Sequence, residues 1–169
     1  MTTLLDIRVR PLGIKAEATI TPDQLAMLQR LDDADFPYVR EKLLAHGKIP
    51  DHEVDEAIFE FKRYMALAAL SDKTLGMVSP LVDEVWHQFI LFTRHYTKFC
   101  QEVFGYYVHH LPATSYTPLT PGAGRNLVSE YEAYFGPVTR LWASGSDDCS
   151  ASTGDNNCSV GQCDGSKDD

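Results

Sequence analysis

The run from Pro80 to Val103 constrains the fold more than any other stretch of the chain. Val85, Phe89, Phe92, Tyr96, Phe99 and Val103 recur at spacings of three and four. At about 100° per residue they form one broad stripe on a helix, with Val82, Thr93 and Cys100 along its edge. Trp86 falls on its shoulder. A stripe this wide must be buried against other elements, at about 1.5–3 kcal/mol for each large side chain. Ser79-Pro80 is a cap-plus-proline start and Gly105 a stop, so the pattern predicts one helix from Pro80 to about Phe104.

The opposite side of the same helix carries Asp83, His87, Ile90 and Arg94. As a solvated face it holds an ordinary i,i+4 pair, which stabilises a helix only slightly. The apolar Ile90, with Trp86 adjacent, supports a second reading. In that reading another segment covers this face and encloses Asp83 and His87 in a polar pocket.

The rest of the sequence supplies helices to pack against it. Thr21-Pro22-Asp23-Gln24 is a capping box with proline in the first turn, opening a helix that stops near Asp32-Asp33. A second helix spans about Asp35 to His46 and ends at Gly47. Ile49-Pro50-Asp51 opens a third that runs to about Leu70, with Val54, Ile58, Phe61, Met65 and Ala68 on one face. A last helix runs from about Arg125 to Phe135. Residues 1–20 carry partly alternating apolar side chains, which allows a short strand or an extended arm. The expected fold class is mainly α: a compact bundle of about five helices with that N-terminal strand or arm and a disordered C-terminal tail. Residues 1–143 form the helical domain and residues 144–169 an acidic tail rich in Ser, Gly and Cys.

Charge separates these two parts as well. The net charge is -9, and six Asp and one Lys in residues 144–169 account for -5 of it. The remaining body is mildly acidic and has no Lys/Arg run, so a nucleic-acid or anionic-membrane surface is not expected. No run reaches the roughly 18 apolar residues of a membrane span, and Met1 to Arg10 lacks the apolar core of a signal peptide. The expected location is therefore cytoplasmic, where cysteines are usually reduced. Cys149, Cys158 and Cys163 have no tight Cys-x-x-Cys spacing and make neither a disulfide framework nor a zinc ribbon.

Asp83 and His87, one turn apart, can ligate one metal ion from a single helix face. Gly105 lets the chain turn back, so His110, or alternatively His109, can supply a third ligand. Adjacent residues of an extended segment point to opposite sides, so only one of the two reaches such a site. Two His and one carboxylate suit zinc with an open position, or non-haem iron. Trp86, Thr93, Tyr96 and Cys100 are the candidates for lining a ligand pocket beside the metal. Cys100 has a nucleophile reading with His95 or His109 as base, against its simpler reading as a small buried hydrophobe. No phosphate-binding glycine loop, Gly-x-Ser-x-Gly or His-Glu-x-x-His motif occurs, which removes the commonest nucleotide enzymes, hydrolases and zinc proteases.

The run Asp83-x-x-Trp86-His87-x-x-Ile90-x-x-Thr93-x-x-Tyr96-x-x-x-Cys100, followed by Gly105 and His109-His110-x-Pro112, resembles the glycine-rich domain-containing protein-like family. Glu60-Phe61-x-x-Tyr64 also fits, so the resemblance covers about residues 50 to 112. Plant members carry this helical domain ahead of glycine-rich regions, whereas short bacterial members carry it alone, and this chain is similar to the short form. The family brings no general activity to transfer. Its recurring polar positions match Asp83, His87, Thr93, Tyr96, Cys100 and His110, which the resemblance implies form a site. Three functions follow as expectations. They are a binding module for a divalent metal or small ligand, a structural or protein-interaction domain without metal, and a metal-dependent enzyme.

Overall fold

The computed structural model describes residues 10–143 and the backbone of residues 163–167. The helix starts follow the local chemistry. α1 (Pro22–Asp33) opens with a reciprocal box: the Gln24 amide donates to Thr21 Oγ1 at 3.2 Å, and the Thr21 amide donates to Gln24 Oε1 at 2.9 Å. α2 (Pro37–His46) has proline at its first position and ends on Gly47, whose φ of 68° costs glycine little. A 3₁₀ turn at Asp51–Glu53 leads into α3 (Val54–Leu70). α4 (Pro80–Leu91) is capped by Ser79, which accepts the Val82 amide. α5 (Thr93–Val103), β1 (Val108–Pro112), α6 (Ala123–Phe135) and α7 (Arg140–Ala143) follow. β2 (Cys163–Lys167) pairs antiparallel with β1, setting Gly165 opposite His110.

α3 and α4 sit at the centre because their faces are the most apolar. Phe61, Tyr64, Met65, Val82, Val85, Trp86 and Phe89 are all at most 1 % exposed. Phe36, ahead of α2, packs against Phe89 at 4.7 Å with the rings tilted, and Phe99 from α5 meets both rings at just over 5 Å. Offset and edge-on pairs of this kind add about 0.5–1.5 kcal/mol each beyond the area they bury.

A buried carboxylate fastens the C-terminal helices to this centre. Glu60 is 1 % exposed and accepts from Trp142 Nε1 (2.6 Å), Tyr131 Oη (2.9 Å) and Arg63 Nη1 (3.1 Å). Three donors from α3, α6 and α7 thus satisfy a charge that would otherwise be very costly to bury.

The helical architecture agrees with the expectation, but the single helix from Pro80 to Phe104 is two. At Phe92 the backbone leaves the helix (φ -85°, ψ 60°), and its amide bonds Phe89 O at 3.0 Å, three residues back. In a straight helix Trp86 and Tyr96 would lie about 15 Å apart along the axis. Here Trp86 Nε1 donates to Tyr96 Oη at 2.9 Å, so α5 turns back across α4. No proline or glycine marks the break; aromatic packing of Phe89 on Tyr96 (5.1 Å) and on Phe99 accounts for it. With α7 this gives seven α-helices among the described residues, against about five expected.

In the N-terminal arm, Pro11–Gly13 form a 3₁₀ turn and residues 10–20 contain no strand; residues 1–9 lie outside the described residues. The arm is held by the Lys15 amide donating to Tyr134 O and Arg63 Nε donating to Leu12 O. The expected disordered tail, apart from the β2 backbone, also lies outside the described residues. Among the described residues no helix is long and apolar enough to cross a membrane.

Candidate metal centre

Asp83 lies in the first turn of α4, with its side chain 7 % exposed. What covers it is set by the chain reversal after α5. Gly105, with φ 82°, makes a turn that a side chain would strain, and β1 then runs back over α4. Residues two apart on a strand share a face, so the buried Val108 brings His110 inward with it. His110 Nε2 lies 3.1 Å from Asp83 Oδ1, and its ring stands edge-on to Trp86 at 4.4 Å. His87 Nε2 lies 3.7 Å from Asp83 Oδ2, with its ring 4.7 Å from that of His110. One ligand atom from each of Asp83, His87 and His110 lies within 4.8 Å of the others. His109, the alternative third ligand, is not in this cluster; its ring packs on Tyr107 at 4.7 Å.

Exposure divides the three donors unequally. The side chains of Asp83 and His110 are 7 % and 6 % exposed, whereas His87 is 44 % exposed. The cluster is therefore closed on the Trp86 side and open to water on the His87 side. Donor atoms around tetrahedral zinc sit about 3.3 Å apart, given metal–ligand distances of about 2.0–2.1 Å. The 3.1 Å separation of His110 Nε2 from Asp83 Oδ1 is close to that value, and the exposed His87 has the freedom to close the wider gaps, of up to 4.8 Å across the three donors.

Of the four residues expected to line a ligand pocket, Trp86, Tyr96 and Cys100 come together and Thr93 does not. Thr93 is exposed at the start of α5. The other three form a packed, fully buried chain. The Tyr96 hydroxyl accepts from Trp86 Nε1 and donates to Val108 O at 2.6 Å. Burial chiefly, and then the neighbouring Cys100, pushes the Tyr96 phenol far above its ordinary range. Burial also raises the Cys100 thiol, against hydrogen bonding with the Val108 backbone and the contact with Tyr96, which lower it. A buried thiol held protonated suits the small-hydrophobe reading rather than the nucleophile reading.

The sequence reading missed a second polar cluster on α4. Glu84 accepts from Gln88 Nε2 at 2.7 Å and from Lys48 Nζ at 2.9 Å, and lies 3.0 Å from His46 Nδ1. Burial pushes its carboxyl up, but bonds from Lys48, Gln88 and His46 outweigh that and hold it below the usual range. His46 and Glu84 are 38 residues apart, so no local spacing announces the contact. A cleft of about 500 Å³ lies elsewhere, between α1, the turn before α2, and α5. Its carboxylates and His95 do not converge on a common point, so converging donors rather than volume mark the candidate site.

Neither curated proteins nor solved structures yield a match to this chain. The model of one uncharacterised family, described as UCP032817-like, matches residues 26–121. That stretch runs from α1 through β1 and contains all three donors, and it is more than half of the chain. The chain belongs to the UCP032817-like family.

Proposed function

We propose that this chain is a small helical binding module that holds a divalent metal at Asp83, His87 and His110. The observation that carries the reading is the convergence of three donors from α4 and β1 within 4.8 Å, with the side chains of Asp83 and His110 only 7 % and 6 % exposed. Two His and one carboxylate suit zinc or iron, and three protein ligands leave a position open. That position lies on the His87 side, where water, a small ligand or a protein side chain can enter. The resemblance to the glycine-rich domain-containing protein-like family belongs to the same proposal, because Asp83 to Pro112 both carry it and build the cluster. We also place the protein in the cytosol.

Elemental analysis of purified protein tests the reading, with Cys149, Cys158 and Cys163 replaced by Ser so that thiols do not compete. About one equivalent of metal per chain is expected, with most of it lost in His87→Ala. Substoichiometric metal in both proteins would sink the proposal.

The direct 3.1 Å contact between His110 and Asp83 favours one second reading, in which the pair simply clamps β1 to α4. A chelator separates the two. It lowers the melting temperature of a metal protein and leaves that of a metal-free clamp unchanged.

A further inference from the structure

β1 supplies one of the three donors, so what sets its height on the helices bears on the site. The bond from Tyr96 to Val108 O anchors the strand at its buried end, beside a second bond between Cys100 and the Val108 backbone. The direction of the Tyr96 bond is unambiguous. The indole N–H of Trp86 can only donate, so the Tyr96 oxygen accepts it and the single hydroxyl proton goes to the Val108 carbonyl. Trp86, Tyr96 and Val108 are all buried, so no water replaces either bond. Val108 precedes His110 by one strand period, about 6.6 Å along the chain, and shares its face. Trp86, the donor at the other end, also presents its ring to His110 at 4.4 Å. The indole therefore bears on His110 both directly and through the hydroxyl.

We propose that Tyr96 is a positioning residue for the metal centre. It touches none of the three donor atoms, and acts by holding Val108 so that His110 enters over Asp83. The inference rests on the metal reading for its effect on affinity, and on geometry alone for its effect on His110.

Tyr96→Phe keeps the ring and its contacts with Phe89 and Tyr107 while removing only the oxygen. Zinc titration of metal-free protein is done at a temperature where circular dichroism shows both forms fully folded. The variant is expected to bind 10–100-fold more weakly, the usual loss when a group supporting a ligand is removed. In the same metal-free samples the His110 ring protons are read by NMR. They should lose their Trp86 ring-current shift and their cross-peaks to the indole in the variant.

Unchanged affinity together with unchanged His110 shifts overturns the proposal. A merely structural hydroxyl would lower the melting temperature and leave both readouts where they were. If wild-type protein takes up no zinc, the metal reading fails, while the metal-free His110 spectra still decide the positioning role. Should Tyr96→Phe not fold, the wild type decides by reciprocity. Zinc binding must then shift the Tyr96 phenol carbon and hydroxyl signals, and signals that stay fixed through saturation overturn the proposal.

Discussion

Tyr96 and Cys100 sit one helical turn apart on α5, both fully buried, and both reach the backbone of Val108. Removing the Tyr96 oxygen leaves a buried N–H and a buried carbonyl without partners, each costing about 1–3 kcal/mol. Tyr96→Phe is therefore expected to lose about 2–6 kcal/mol in denaturant unfolding. Cys100 predicts chemical silence instead. With the tail cysteines replaced by Ser, native protein should not react with a thiol reagent over minutes, and denatured protein should show its one thiol. Fast labelling of the native form would contradict the burial described here. At this scale the sequence was informative about which residues mattered and silent about how. The alternation of His109 and His110 foretold that at most one would turn inward, but not that a hydroxyl on α5, bonded to Val108, would bear on the choice.

α4 is the element on which both polar clusters meet. Asp83 reaches β1, while its neighbour Glu84 reaches His46, the last residue of α2, and Lys48 just beyond it. Because the Glu84 carboxyl is held below its unfolded value, its contribution to stability is present above the ordinary glutamate range of about 4.3. That contribution is lost as pH falls through the lower folded value. Glu84→Gln should therefore flatten the acid limb of the stability curve below about pH 5, measured by urea unfolding at a series of pH values. An acid limb identical to the wild type's would show that the carboxylate is not differentially stabilised. The helix starts at Thr21 and Pro80 and the stop at Gly47 were legible because each depends on residues within one turn, whereas α2 begins at Pro37 rather than near Asp35 and has no side-chain cap. The break at Phe92 was not, since it comes from packing on Phe36, Phe89 and Phe99 rather than from any local breaker.

The whole molecule depends on contacts between elements far apart in sequence, and these were the least legible. Glu60 joins α3 to Tyr131 and Trp142, 71 and 82 residues later. Periodicity alone would have made α3 a simple apolar face. Glu60→Ala leaves the buried Tyr131 and Trp142 donors and the partly buried Arg63 facing a void and should cost about 3–5 kcal/mol, with a shift of tryptophan fluorescence as Trp142 loses its anchor. A loss under about 1 kcal/mol would mean that the donors find other partners. The helical class and the Asp83–His87 pair followed from spacing. The closing of the site by His110 followed from a turn glycine and strand alternation, both short-range signals.

Zinc titration into metal-free protein lacking the three tail thiols, wild type beside Asp83→Asn, tests the central claim most directly. The substitution keeps the size of the side chain and removes the charge that His87 and His110 flank. The account predicts saturation near one equivalent in the wild type and binding at least about ten-fold weaker in Asp83→Asn. Equal uptake by the two proteins, or none by either, would contradict it.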